Sequence, residues 1–193
     1  MAYKDTMTSL QDAERATRQL LQALEPETHL REGLVDTPRR VAASLLDLTD
    51  GYDLDPKAYL ERTFHEDVDE MVMVSGVPVY SLCEHHLLPF YGRAWIAYIP
   101  SGGLITGLSK LARCLQGYAR RLQVQERLTS QVADAINEVL SPQGVGVYLE
   151  CEHLCMTMRG VQVPGTLTKT SALRGLLFEQ ERARAEFFSL VGR

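Results

Sequence analysis

Apolar residues along this chain follow two rhythms that change over at fixed points. Leu10, Ala13, Ala16, Leu20, Leu21 and Leu24 recur at three- and four-residue steps, which predicts an amphipathic helix over 7–24. Thr37 followed by Pro38 predicts a helix start, with Thr37 as N-cap and proline in the first helical position. That helix carries Val41, Leu45 and Leu48 and stops near Asp50-Gly51. A short helix over 56–61 follows. The period then shortens: 71–82 is rich in valine, methionine and tyrosine, and 90–100 is aromatic and β-branched, predicting two strands joined through Glu84–Pro89.

Beyond the Ser101-Gly102-Gly103 loop the helical step returns at Leu108, Leu111, Ala112, Leu115, Ala119 and Leu122. It returns again over 128–140 at Val132, Ile136 and Val139, with Gln125-Glu126 at the junction between the two helices. Ser141-Pro142-Gln143-Gly144 ends the second of them. Strands are predicted over 145–151 and 166–172, connected through Gly160–Gly165, and a last charged helix over 178–190. The order implies an α+β domain, a four-stranded antiparallel sheet backed by two helices. The expected division is an N-terminal helical region, 1–62, and a catalytic domain, 63–193.

Composition narrows the class. With 193 residues and 45% hydrophobic content the chain can bury a full core. No apolar run approaches the ~20 residues needed to cross a bilayer, so no membrane partner is expected. A formal net charge of -5 argues against nonspecific nucleic-acid binding, which needs a basic surface. Met1 to Leu20 is polar and lacks an apolar signal-peptide core, so the expected location is cytoplasmic and reducing. There, four cysteines suggest metal or catalysis rather than disulfides.

Two clusters carry the candidate chemistry: Cys83-Glu84-His85-His86 and Cys151-Glu152-His153-Leu154-Cys155. Cys83, His86 and Cys155 supply two thiolates and an imidazole, the donor set of a catalytic zinc site whose fourth position is left to water. His85 and His153 lie beside them and suit proton transfer. Side chains alternate along a strand, so Cys83 and His86 reach one ion only if the backbone turns between them. Other readings stand beside this one. Cysteine is often a small buried hydrophobe. A closed structural site could take Cys151 or His153 as fourth ligand, and Cys151, His153 and Cys155 share a face if the strand continues through them. One histidine could merely orient a ligand.

A Gly-x-x-x-x-Gly-Lys loop is absent, so a bound triphosphate would be held by side chains. Lys110 and Arg113 lie three apart near a helix N-terminus, where two cations and the helix dipole act together on an anion. Arg39-Arg40, Arg120-Arg121 and Arg159 are further basic positions, and a solvated face is the ordinary role of such runs.

Several stretches, in order, resemble one family. They are Gly33-Leu34 with Thr37-Pro38 and Arg40, Ser81 to His86, Gly107 to Arg113, Arg121 to Arg127, and His153 to Gly160. Together they are similar to the signature stretches of the zinc-dependent GTP cyclohydrolase I family, from about Leu30 to Ala172. The resemblance implies a tunnelling fold that assembles into a toroidal homodecamer with active sites at subunit interfaces. It implies conversion of GTP to 7,8-dihydroneopterin triphosphate and formate, the first step toward tetrahydrofolate and related pterins. It also implies one zinc ion per subunit on Cys83, His86 and Cys155, with His85 and His153 as the proton-transfer pair.

The same resemblance makes Glu126 the acceptor for the guanine N1-H and 2-amino group, assisted by Gln125. It assigns Lys110, Arg113, Arg159 and Arg40 to the triphosphate, and Ser109 to the ribose or phosphate end. Cys151 departs from the pattern, since the family more often has a small apolar residue there. The alternatives are a catalytically silent zinc-binding scaffold, disfavoured by His85, His153 and Glu126, and another tunnelling-fold enzyme of pterin or deazaguanine metabolism. Cys-x-x-His with a distant cysteine disfavours the latter.

Overall fold

The computed structural model describes residues 6–25 and 31–192, with the backbone alone for Thr6–Thr8. Met1 to Asp5 of the polar amino terminus, and Leu30 where the family resemblance begins, lie outside the described residues. Two compact units divide between Asp50 and Gly51.

The first unit is a pair of packed helices, α1 (Thr6–Leu24) and α2 (Thr37–Leu48). Thr37 is the first helical residue and not the cap. Asp36 holds the cap position without a side-chain capping bond, and Thr37 Oγ1 donates instead to Gly33 O at 3.3 Å. Arg40 pairs with Asp36 one turn away at 3.1 Å, with both side chains exposed.

The second unit begins before the expected boundary, because residues 51–62 are tied into it. Gly51 N donates to Arg120 O at 2.9 Å, and Leu60 is fully buried in the main core. Arg121 completes the tie: its guanidinium donates to Gly51 O and Leu54 O and lies over the rings of Tyr52 and Tyr118. It is therefore a structural clasp rather than a loose surface charge.

The elements of this unit are β1 (Thr63–His65), β2 (Val72–Cys83), β3 (Pro89–Ile99), β4 (Leu104–Thr106), α3 (Leu108–Ala119), β5 (Leu122–Gln123) and α4 (Gln125–Leu140). They continue with β6 (Gly144–His153), α5 (Leu154–Thr157), β7 (Leu167–Gly175), α6 (Leu176–Glu179) and α7 (Glu181–Val191). The main sheet has five strands in the order β5-β2-β3-β6-β7, one more than expected. The four long strands are antiparallel; β5 adds two residues in parallel beside Leu82 and Cys83. β1 and β4 form a separate two-stranded ladder.

Alternation along the strands sorts side chains to two faces. Ile96, Tyr98, Val147, Leu149 and Cys151 face α3 and α4, meeting Leu111, Leu115, Leu128, Val132 and Ile136. Ala97, Trp95 and Tyr148 face the other way and are covered by Phe187 and Val191 of α7, so helices back both faces. The final helix is broken in two, α6 and α7, where a single one over 178–190 was expected. Gly146 is required at this contact, since a Cβ there would sit 2.7 Å from a Phe187 ring carbon.

The two ends of the sheet differ. Cys83, Phe90, His153 and Leu167 mark one end, through the pairings Leu82 with Pro89, Phe90 with His153 and Glu152 with Leu167. Val72, Tyr98, Gly144 and Gly175 mark the other. α3 runs from the second end to the first: Thr106 N, just before it, donates to Tyr98 Oη at 3.1 Å, and its last residue, Ala119, accepts from Ser81 Oγ at 2.7 Å.

Candidate active site and metal centre

Cys83 is the last residue of β2, and the chain reverses immediately after it. Leu87 N and His86 N both donate to Cys83 O, at 2.8 and 3.3 Å, and Cys83 N donates to Leu88 O at 2.9 Å. Leu87 takes a positive φ of 54° to make this turn. The reversal that Cys-x-x-His needs is thus built from backbone bonds, and it lifts His86 over the end of its own strand. Cys155 arrives from the other side. β6 ends at His153, and Cys155 sits in the single helical turn α5. The strand does not continue through it, so Cys151, His153 and Cys155 do not share a face.

One ligand atom from each of Cys83, His86 and Cys155 lies within 4.8 Å of the other two, the one such group of histidine, cysteine or carboxylate among the described residues. The Cys83 Sγ to His86 Nδ1 distance is 3.9 Å. Tetrahedral zinc with ordinary bond lengths sets ligand atoms roughly 3.6–3.8 Å apart, so the donor set fits a zinc ion with little adjustment. Burial, and after it the neighbouring Cys83, push the Cys155 thiol up. A divalent cation between the two sulfurs would reverse that direction.

Cys151 is excluded as a further ligand. It is fully buried in the main core, and burial pushes its thiol up to about 12, as it does for Cys114.

His153 is held at the end of β6 by two contacts. Its ring stacks on Phe90 at 4.7 Å, and its Nε2 lies 2.8 Å from Gln125 Oε1. The Gln125 amide nitrogen donates to Leu149 O, Thr168 O and Thr170 Oγ1. Backbone carbonyls only accept, so the amide orientation is fixed and Oε1 must face the imidazole. His153 therefore carries its proton on Nε2 and leaves Nδ1 open. Burial holds its pKa below the ordinary histidine value, against an opposing pull from Glu126.

Gln125 is itself completely buried with both ends of its carboxamide engaged, which places it behind His153 and not on a substrate-facing edge. It opens α4 instead of lying between helices. Glu126, next to it in the first turn of α4, is exposed, and among the described residues no hydrogen bond or ion pair engages it.

His85 is exposed on the turn, with Nδ1 3.8 Å from Cys83 Sγ. Its neighbour Glu84 is held by Arg127, which keeps that carboxyl below its usual range. Arg159 Nη1 lies 3.0 Å from His86 Nε2, bringing a cation to the outer side of the candidate metal ligands.

Ser109, Lys110 and Arg113 are elsewhere. Ser109 and Arg113 are exposed and Lys110 is half-buried, all in the first half of α3, whose start belongs to the opposite end of the sheet. Nine residues of helix separate Lys110 from Ala119, about 13 Å along the axis. Arg40 belongs to the first unit. Residues that sequence reasoning did not single out are Phe90, Thr170, Glu84 with Arg127, and Glu152; their roles arise from contacts across the sheet, for which local spacing carries no signal.

Fold and site together define a class: an α+β protein with a thiol–imidazole metal-ligand set at one end of its sheet and a tautomer-locked histidine beside it. Known proteins make that class specific. Residues 13–192 match the model of the GTP cyclohydrolase I family. A GTP cyclohydrolase 1 of Carboxydothermus hydrogenoformans is 53% identical over 186 residues, covering 96% of each chain. One of Bacillus cytotoxicus is 52% identical over 183 residues, covering 95% of this chain and 96% of its own. The chain belongs to the GTP cyclohydrolase I family. An apo archaeosine synthase QueF-Like structure is also similar at 16% identity, with a TM-score of 0.42 over 54% of this chain and 93% of its own, a likeness too loose to carry an argument. No helix among the described residues is long and apolar enough to cross a membrane.

Proposed function

We propose that this chain opens the purine of GTP at C8 and rearranges the product to 7,8-dihydroneopterin triphosphate with release of formate, using a zinc ion held by Cys83, His86 and Cys155. The activity follows from family membership: the chain is a GTP cyclohydrolase, a hydrolase of pterin and folate biosynthesis. The residue roles are supported above all by one observation, the convergence of two thiols and an imidazole within 4.8 Å. When bound, zinc supplies a Lewis acid and a water made reactive near neutral pH.

The remaining steps fall to the chain's own groups. His153, kept neutral by burial and with Nε2-H committed to Gln125, takes and returns a proton at Nδ1 beside the purine. His85, exposed on the turn after β2, serves as the second proton carrier. Glu126 accepts from the guanine N1-H and 2-amino group, a donor-donor edge that adenine lacks. Gln125 acts on the substrate only through His153.

The triphosphate needs cations from two places. Arg159 lies at the metal end, whereas Ser109, Lys110 and Arg113 begin α3 at the other end of the same sheet. A single site can use both sets only if a second copy brings its α3 to the metal end of the first. We therefore read the catalytic unit as a subunit of a tunnelling-fold homo-oligomer, a decamer by family resemblance, with interfacial active sites. Arg40 is a further triphosphate cation in this reading.

The test is GTP turnover on purified protein, following formate and the fluorescence of the oxidised pterin, with zinc quantified in the same sample. The expected result is equal formate and pterin, lost on chelation and restored by zinc. Zinc-loaded protein that leaves GTP untouched would overturn the proposal.

A further inference from the structure

From Met158 to Leu167 every residue is exposed, so no buried side chain anchors this segment. Its backbone turns at three positive-φ positions, Gly160, Gln162 and Gly165; Met158 N donates to Leu154 O and Val163 N to Met156 O, and the segment joins the sheet only at Leu167, opposite Glu152. The segment nevertheless carries Arg159, whose guanidinium meets His86 at 3.0 Å. Something must hold it against the sheet.

Glu152 does so. It lies on β6 beside His153 but points to the opposite face. Its Oε1 accepts from Thr157 Oγ1 at 3.0 Å and from Gly165 N at 3.1 Å, the two ends of the segment. Its Oε2 accepts from Tyr91 Oη at 2.9 Å, and Tyr91 is its register partner on β3. A carboxylate is suited to this because it accepts at several sites at once. The Gly165 amide, then Tyr91 and Thr157, hold its carboxyl below the usual range, so the clamp stays ionised near neutral pH.

We propose that Glu152 is a positioning residue for substrate phosphate: by closing the 157–165 loop at both ends it fixes where Arg159 presents its charge. The inference rests on the reading that Arg159 binds the triphosphate. Glu152 touches neither substrate nor metal in this account.

The test combines steady-state kinetics with amide hydrogen exchange on zinc-loaded protein. Glu152→Ala should raise KM for GTP about tenfold, the scale of one misplaced charged contact. Its kcat should change by no more than about threefold, and its zinc content should not change. Exchange across 157–167 should accelerate. Glu152→Gln, which still presents an oxygen to Thr157 and Gly165, should recover most of the lost affinity.

Arg159→Ala should raise KM similarly, and adding Glu152→Ala to it should have little further effect, since the two act as one unit. Additive effects on KM, or slow exchange that persists in Glu152→Ala, would overturn the inference. If exchange accelerates but Arg159→Ala leaves KM unchanged, the phosphate-binding reading of Arg159 fails while the clamp itself stands.

Discussion

The two ends of the central sheet are built from the same four strands and do opposite things with their polar groups. At the Val72–Gly175 end the chain uses them up internally. Gln143 N donates to Ile99 O at 2.9 Å, Gln143 Nε2 to Pro100 O at 2.8 Å, and Leu176 N to Gln143 O at 2.9 Å. At the Cys83–Leu167 end the strands stop short of that economy. The thiols of Cys83 and Cys155 and the imidazole of His86 converge at a surface left partly open, with the exposed His85 beside Cys83. Buried polar groups are costly unless paired, so ligand atoms a fold gathers at an exposed end are available to a metal or a substrate. In the proposed function the same difference calls for two chains at each site. The α3 cations start at the closed end, and the metal ligands sit at the open one.

The largest effect that would sharpen this contrast is Cys155→Ala. Removing a ligand forfeits Lewis-acid stabilisation worth several kcal/mol, on the order of a thousandfold in kcat/KM for GTP. Glu126→Ala should keep its zinc and lose about a hundredfold in kcat/KM, two charge-assisted hydrogen bonds to the guanine edge being gone. A small loss would remove Glu126 from the site.

Complementation tests the split between ends directly. Cys155→Ala and Lys110→Ala chains, each nearly inactive, should regain about a quarter of wild-type activity when co-expressed, the fraction of interfaces that pair two intact halves at random. No recovery would place both halves in one chain.

At the closed end, Gly146→Val should cost about 1–3 kcal/mol of stability by driving a side chain into Phe187, while zinc stoichiometry stays intact. Thermal unfolding with metal analysis measures both. The smallest expected effect is in pH. Burial lowers the folded pKa of His153 below its unfolded value, so the folded state binds fewer protons there. Its share of stability is fully present above the ordinary histidine pKa and is lost as pH falls below it toward the folded value. An NMR titration that found the His153 pKa raised would contradict this.

The sequence reported elements where a periodic pattern had room to repeat. The long helices and strands appear within a few residues of their expected bounds because burial on one face writes itself into spacing. β1, β4 and β5 have two or three residues each, too few to show a period. The α4 start was placed late because its first residue, Gln125, is polar yet wholly buried, and hydropathy cannot mark a buried carboxamide whose partners are on β6 and β7. The grouping of Cys83, His86 and Cys155, which the structure brings together, was legible from donor chemistry. That Cys151 and Cys155 lie on different elements was not, since the change from strand to helical turn at Leu154 lies in no spacing rule. Arg121 and Glu152 were invisible for a related reason: each is defined by partners many residues away or across the sheet.

Those two cysteines give the most direct test. Zinc content should be measured side by side on purified Cys151→Ala and Cys155→Ala proteins. One zinc per chain is expected in Cys151→Ala, with only about 1 kcal/mol of stability lost from a small core deletion, and little or no zinc in Cys155→Ala. Full metal content in Cys155→Ala, or loss of metal in Cys151→Ala, would contradict the assignment of the site.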